Sequence, residues 1–472
     1  MAGLLSIGLT GLNASQANLL TTSHNITNAN TAGYNRQTVS LTTHDPQFSG
    51  AGFFGQGVRL DNIRRQYDQF LDQQVLNAST RKEEYAAYNA QISQVDNLLA
   101  DESAGLSPAL SDFFRGVNDV ANNPSSVPAR QSLISLAESL AGRFNAMDAR
   151  LNEIRDLTEG QISSAVAEIN GYAKQIADLN KRIGEVEAAG PSVAANDLHD
   201  QRDALVAELN KLVKVSTYKE SNGAFSVFVG SGQSLVTGNT ASQLAVAYPN
   251  PADPTRGEIR LTTPGGAVPL PDSVLSGGKL GGLLGFRSET LDRAQDELGA
   301  IAKAVSAQFN AVHGGGTDLN GVAGGNFFTD LSAVSDRQAA GLFAVAISDP
   351  AEIAAAQGGT AGDTRPGDNR NALALAGLQT AKVMNGGTAT FQSAYSQLVS
   401  FVGNKSREAQ IGEKAQAAQL EQASAAQQAL SGVSLDEEAA NLLRFQQSYQ
   451  AAARVMNLAG TLFNEVLSIA RG

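Results

Sequence analysis

Chemistry in this chain would most readily start at NDLHDQRDAL (196–205), where His199 stands among Asp197, Asp200 and Asp203. An imidazole beside carboxylates is the donor set of a metal site or of an acid–base pair. On a helix Asp200 and Asp203 share one face three residues apart, and Arg202 lies on another. No second histidine falls within helical reach, so the spacing predicts a solvated or capping role. SGGKLGGLLGF (276–286) is glycine-rich like a phosphate loop. It lacks GK[ST] and the strand–GxGxxG–helix arrangement, and predicts a turn feeding a helix at 287. GTDLNG (316–321) and GDTRPGDN (362–369) offer loop oxygens near Asp318 and Asp363 that could hold an ion, without the spacing or bidentate Glu of an EF-hand. HExxH, GxSxG, Walker A and CxxC patterns are absent. No catalytic, cofactor-binding or metal residue is therefore predicted.

Composition narrows the field further. The 472 residues hold no cysteine, no tryptophan and four histidines, which excludes disulfides, thiolate metal sites and cysteine nucleophiles. A net charge of −12 has the wrong sign for binding nucleic acid or an anionic membrane. No run approaches eighteen apolar residues, so no membrane span is expected. The first twenty residues lack a basic n-region and a compact apolar h-region, so a cleaved secretory leader is not expected either.

The elements that would position any site are mostly helical. Leu5, Leu12, Leu19 and Ile26 recur at seven-residue steps, with Leu9 between them. At the other end Leu435, Leu442, Tyr449, Met456 and Phe463 do the same, with Phe445, Ala452, Ala459 and Val466 three residues later. Such narrow stripes resemble coiled-coil seams. SLDE (434–437) reads as a capping box opening the last helix, and Asp436 and Glu438 complement its dipole. From about 127 to 189 one apolar pattern runs unbroken by proline, which would span roughly 95 Å as a single helix. Gly142, Gly160, Gly171 and Gly184 are its candidate breaks. Further helices are expected at about 194–213, 287–313, 369–385 and 388–431. Around SNG, VKVSTYKE and AFSVFVG read as a hairpin; LAVAY (244–248), EIRLT (258–262) and GLFAVAIS (341–348) read as strands.

The fold class expected is mainly α: an elongated multi-helix bundle with coiled-coil-like terminal helices and a small inserted β-rich domain. Residues 1–62 and 432–472 would form the terminal helical unit, and 63–212, 286–316 and 369–431 the long-helix bundle. Residues 213–285 and 317–368 would form a β-rich outer domain.

SQANLLTTSHNITNANTAGYNRQ (15–37) resembles the N-terminal signature of the bacterial flagellar axial proteins, the family of rod, hook and hook-associated proteins. SGVSLDEEAANLLRFQQSYQAAARVMNLAGTLFNEVLSI (431–469) resembles its C-terminal signature, and the form LDEEAANLLRFQQSYQAAARVM is nearest to the hook-associated branch. GQGVRLDNIRRQYDQFLDQQ (55–74), DLHDQRDALVAELNKLV (197–213) and residues 278–321 agree with that branch. The resemblance implies a structural role in the flagellum, joining hook to filament, with no catalysis. It implies as partners further copies in a ring, the hook protein, hook-associated protein 3 and an export chaperone on the C-terminal helix. Export through the flagellar type III channel, without a cleaved leader, is implied as well.

Subunit assembly would then rest on Leu5, Leu12, Leu19, Asn25, Ile26, Asn28, Asn30, Gly33 and Tyr34 at one end. At the other it would rest on Leu435, Leu442, Phe445, Tyr449, Met456, Phe463 and Val466. The Asn-rich turn would end the first helix, with Gly33 at C′ and Tyr34 as a packing anchor. Two other readings stay open: another axial protein (distal rod or hook), and an axial scaffold carrying an enzymatic or adhesive outer domain.

Overall fold

The computed structural model describes residues 2–48, 50, 52–101, 105–190, 195–220, 223–230, 232–251, 253–263, 265–359 and 362–471. The chain is mainly helical and elongated. It opens with α1 (Ala2–Asn28), followed by β1 (Gln37–Thr43), β2 (Gln47–Phe48), β3 (Phe53–Phe54) and β4 (Val58–Arg65). Then come α2 (Gln69–Leu99), α3 (Leu106–Asn122), α4 (Val127–Glu187) and α5 (Asn196–Leu212). Seven strands lie between residues 215 and 270: β5 (Val215–Lys219), β6 (Phe225–Val229), β7 (Gln233–Thr237), β8 (Thr240–Ala241), β9 (Gln243–Ala247), β10 (Glu258–Thr263) and β11 (Gly266–Leu270). After them run α6 (Gly278–Gly285), α7 (Asp292–Gly314), β12 (Gly316–Thr317), α8 (Asp336–Ala339), β13 (Ala356–Gln357), α9 (Arg370–Gly377), α10 (Phe391–Ser431) and α11 (Leu435–Arg471).

The 61-residue α4 is the axis of the body. Ser126 caps it by accepting from Ala129 N–H, with Pro128 in its first turn. Its four glycines do not break it, because each faces open space and the packed stripe alone holds the helix. The two halves of that stripe serve different cores. Leu133, Leu140, Phe144 and Leu151 pack with α3, α7, α10 and the segment after β12. Ile162, Ile169 and Ile176 pack with α5, α6 and the strands β6, β7, β9 and β10. Between them lies a polar collar. Arg155 reaches Asp292 at 2.7 Å, and Glu159 accepts from Arg287 at 2.8 Å and from Gly257 N–H at 3.1 Å. Such buried charges are tolerated because each is paired and hydrogen-bonded.

The strands form a four-stranded sheet, β5-β6-β7-β8, and a three-stranded sheet, β11-β10-β9. Their backbones are tied to α4 by asparagines. Asn170 both donates to Leu244 O and accepts from Leu244 N–H, at 2.8 Å each. Asn180 does the same with Phe225, at 2.8 and 3.1 Å.

Two expectations from sequence give way here. Residues 317–368 are not β-rich. Apart from the two-residue pair β12–β13 and isolated bridges at Thr317–Ala323 and Phe328–Val345, the described part is loop and short helix. GLFAVAIS (341–348) is therefore not a strand. Its Phe343 and the preceding Phe327 and Phe328 instead plug the helical core against Phe113, Phe144 and Phe309, with ring centroids 4.6–6.3 Å apart. Core demand overrides β-propensity. The second correction concerns 276–286, which is helix α6 rather than a turn, running through a π-helical turn (Phe286–Leu291) into α7. Its glycines let α6 approach α2: a Cβ at Gly282 would sit 2.2 Å from Glu84 O. The expected helix at 369–385 is also shorter, closing at Gly377.

Two histidines are built into this body in the neutral form. The fully buried His313 uses its nitrogens with opposite polarity. Nδ1–H donates to Gly325 O at 2.8 Å, and Nε2 accepts from Ala354 N–H at 3.0 Å. Burial pushes its pKa below the usual imidazole value, and Arg130 adds to this. His199 is pushed the same way by burial and by Arg202 and Arg65, against the pull of Glu187.

Phe327→Ala should cost about 3–5 kcal/mol in urea unfolding followed by circular dichroism, because it opens a cavity at the centre of the aromatic cluster. Since both histidines titrate lower folded than unfolded, the unfolded chain binds more protons as pH falls through 6.5. Stability should thus decline from pH 7.5 to 5.5. The difference in melting temperature between those pH values should shrink in His313→Gln.

Candidate functional site

The two chain ends meet in an antiparallel helix pair. Gly8 of α1 lies against Met456 of α11, and Gly11 against Ala452; an added Cβ at Gly8 would stand 2.9 Å from Met456 Cγ. The inward positions are small: Gly8, Ala14, Ser15 and Ala459 are buried. Small residues let the helix axes approach closely. The predicted stripe therefore faces its partner only in part. Leu5, Leu12, Leu19, Ile26, Leu442, Phe445 and Met456 are half-buried, whereas Leu435, Tyr449, Phe463 and Val466 are exposed.

At the inner end of the pair sits Asn25, 1% exposed. Its Nδ2 donates to Gln37 O at 2.9 Å and to Glu438 Oε2 at 3.2 Å. Its Oδ1 accepts from Gln37 N–H at 2.9 Å and from the Tyr34 hydroxyl at 2.7 Å. One amide thus joins α1, the turn, β1 and α11. Tyr34 also meets the His24 ring edge-on at 5.6 Å. Burial raises the Tyr34 hydroxyl pKa, and Asp197, Asp200 and Glu438 raise it further, so Tyr34 remains a donor. Asn28 closes the helix locally, donating to His24 O at 3.0 Å and accepting from Thr31 Oγ1 at 3.2 Å. Asn30 is exposed.

Gly33 is not the C′ residue, because α1 ends at Asn28. It adopts φ +79° later in the turn, facing Ala204 of α5; a Cβ there would lie 3.1 Å from the Ala204 Cβ. The capping box at 434–437 is redirected too. Ser434 Oγ accepts from Glu437 N–H at 3.5 Å, but the Glu437 carboxylate takes Arg36 Nη1 at 2.8 Å. Arg36 Nε donates at 2.8 Å to Glu438, whose side chain is 2% exposed. Glu438 is thus more than a dipole complement.

The His199 cluster is neither solvated nor a metal site. Among the described residues no group of three or more His, Cys, Asp or Glu could hold a metal ion. Buried His199 meets Glu187 at 2.8 Å, and Arg202 lies over the Phe225 ring at 3.5 Å. Asp200 accepts from Asn35 Nδ2 and from Arg65 Nη1, both at 2.6 Å, and Asp203 from Arg65 at 2.8 Å. Burial raises the Asp200 pKa against the pull of Asn35 and Arg65. This acidic face of α5 grips the segment that follows α1. Sequence reasoning passed over Arg36, Gln37, Glu438 and Arg65. The available signal was that Arg36-Gln37 closes the Asn-rich motif and Glu438 sits inside the C-terminal one.

Residues 92–328 match the model described as the flagellar hook-associated protein FlgK helical domain, and 426–469 match the flagellar basal body rod FlgEFG protein C-terminal model. Flagellar hook-associated protein 1 of Salmonella typhimurium is 35% identical over 554 residues, covering 99% of this chain and 100% of that protein. The chain belongs to the flagellar hook-associated protein 1 family. Its Escherichia coli member is 34% identical over 99% of this chain and 100% of its own length. The Bacillus subtilis member is 30% identical over 97% and 96%. The solved structure of the flagellar hook junction protein FlgK from Burkholderia pseudomallei superposes with a TM-score of 0.68 at 25% identity, covering 76% of this chain and all of that one. The protein is accordingly a structural component of the bacterial flagellum, an extracellular organelle, and assembles with other axial components. No helix among the described residues is long and apolar enough to cross a membrane.

Asn25→Asp removes both Nδ2 donors and sets a second carboxylate against Glu438. It should loosen the seam by about 2–3 kcal/mol. That reads as roughly 30- to 150-fold faster amide exchange in α1 and α11, with α3 and α7 unchanged.

Proposed function

We propose that the protein is the adaptor at the hook–filament junction, a ring of copies with the hook protein on one side and hook-associated protein 3 on the other. The observation that carries this reading is the paired terminal unit with its outward apolar rows. α1 and α11 seal their small residues against each other, yet Leu4, Leu9, Leu20, Leu443, Leu458, Phe463 and Val466 stay exposed. An antiparallel pair with apolar residues on its outer faces is a wall element that becomes fully buried only between neighbours. Residues 1–62 and 432–472 would form the wall, and the α2–α10 body with its β-sheets would project outward.

The assembly residues fall into two classes on this reading. Asn25, Asn28, Gly33 and Tyr34 shape the seam within one copy; Leu435, Tyr449, Phe463 and Val466 reach the next. Export would follow the flagellar type III route without a cleaved leader, with a chaperone covering the C-terminal helix beforehand. The body's role is structural rather than catalytic, supported by the use of its charged residues in ion pairs between elements.

Phe463→Asp with Val466→Asp should leave the melting curve of the purified chain unchanged and abolish filament formation in a strain lacking the wild-type gene. Secretion is measured in parallel, because the same residues lie on the surface assigned to the chaperone. Normal filaments from the secreted double variant would remove these residues from the contact.

A further inference from the structure

The terminal unit and the body share no hydrophobic core. Among the described residues, both apolar clusters are drawn entirely from the body, and none of their members lies in 1–65 or 432–471. Instead the joint is polar and is concentrated on one side of α5. Asp200 and Asp203 hold Arg65, Asp200 also holds Asn35, and Asp197 accepts from Gln37 Nε2 at 2.8 Å. Asn196 donates to Ile63 O at 2.8 Å.

The covalent crossings between the two parts lie beside each other. The chain leaves the terminal unit after Arg65 and returns after Ser431, and both crossings are hydrogen-bonded to one residue. Arg36 N–H donates to Ser431 O at 2.9 Å, and Arg36 O accepts from Gln66 N–H at 2.8 Å. Two adjacent crossings pinned at a single backbone position define a hinge axis. The α5 contacts lie off that axis, where they set the angle. A shared apolar core would fix two bodies through many interdigitated side chains, whereas hinges are a few residues at element ends.

We infer that the acidic face of α5 is a latch, and that releasing Arg65 and Asn35 from it lets the paired terminal helices swing about Arg36 as a unit while both parts stay folded. The arrangement supports this in two ways. The seam has its own internal ties, Asn25 to Glu438 and Arg36 to Glu437, which do not pass through α5. The latch face has none of the apolar interlocking that would make opening equivalent to unfolding. On the junction reading, the latch lets a copy keep its seam in the wall while its body changes angle. The test below concerns the free chain and so fails separately from that reading.

The chain has no cysteine, so two can be introduced as unique label sites. Lys174→Cys on α4 and Gln446→Cys on α11 are both at exposed positions. Spin labels at these sites report the angle between the parts by pulsed dipolar spectroscopy. The parent pair should give one narrow distance distribution. Asp200→Asn with Asp203→Asn keeps the shape of the latch and removes its charge; it should broaden or displace that distribution. Melting of the body and exchange protection of α1 and α11 should match the parent. Arg65→Gln attacks the latch from the other side and gives the same readout should the double variant fold poorly. A narrow, unshifted distribution in both variants overturns the latch. So does a broadened distribution accompanied by loss of protection in α1 or α11, since that would be local unfolding rather than rotation.

Discussion

Everything in this chain depends on bringing residues 25 and 438 together, 413 positions apart, and holding them with one buried amide. A contact of that separation carries a loop-closure cost, and it forms only when the body has already shortened the loop. The body does so by pairing α2 antiparallel with α10. Asp72 meets Gln427 at 3.2 Å, Asn89 meets Glu413 at 2.9 Å, and Tyr395 donates to Leu99 O at 2.7 Å. That long pair delivers Gln69 and Ser431 side by side, and α1 and α11 continue the same antiparallel course beyond it. The terminal seam is thus the last section of a helical hairpin whose first section is α2–α10.

The body in turn depends on α4 serving two cores at once. A single apolar core along so long a helix would need a bundle of equal length around it. Here the stripe is interrupted at Arg155, Thr158 and Glu159, and the neighbouring charges from Asp292, Arg287 and Asp272 fill the gap. The helical core lies on one side of this collar and the sheet-bearing core on the other. Leaving a buried charge of the collar without its partner is costly, so the ion pairs also fix which half of α4 faces which set of elements.

Helix existence was legible in the sequence because periodicity is a local property. The unbroken pattern from 127 to 189 and the seven-residue recurrence at both ends each became one helix. What spacing could not show was partnership. Asp200 read as solvated because its partners, Asn35 and Arg65, lie 165 and 135 residues away. Phe327, Phe328 and Phe343 read as part of a β-rich domain because aromatic, β-branched runs suit strands, while the space they fill belongs to α3, α4 and α7. The glycines of α6 read as a turn because glycine usually marks one; here they make room for α2. The family signatures at the two ends located the site, but only the structure separated residues that hold the chain ends together from those left facing outward.

That separation runs opposite to the usual economy of a soluble helix pair. Large apolar side chains ordinarily turn inward, where each buried one contributes about 1.5–3 kcal/mol. In this seam the inward places go to Gly8, Gly11, Ala14, Ala452 and Ala459, and specificity comes from Asn25 and the Arg36–Glu438 pair. Small residues contribute little burial, so the pair alone is a modest structure. The large residues it declines to bury, Leu458, Phe463 and Val466 among them, keep their stabilising burial for contacts outside the chain. A wall built from such units gains most of its apolar stabilisation on assembly. The polar seam keeps the two helices in register beforehand, because a slip of one residue would leave Asn25 and Glu438 buried without partners.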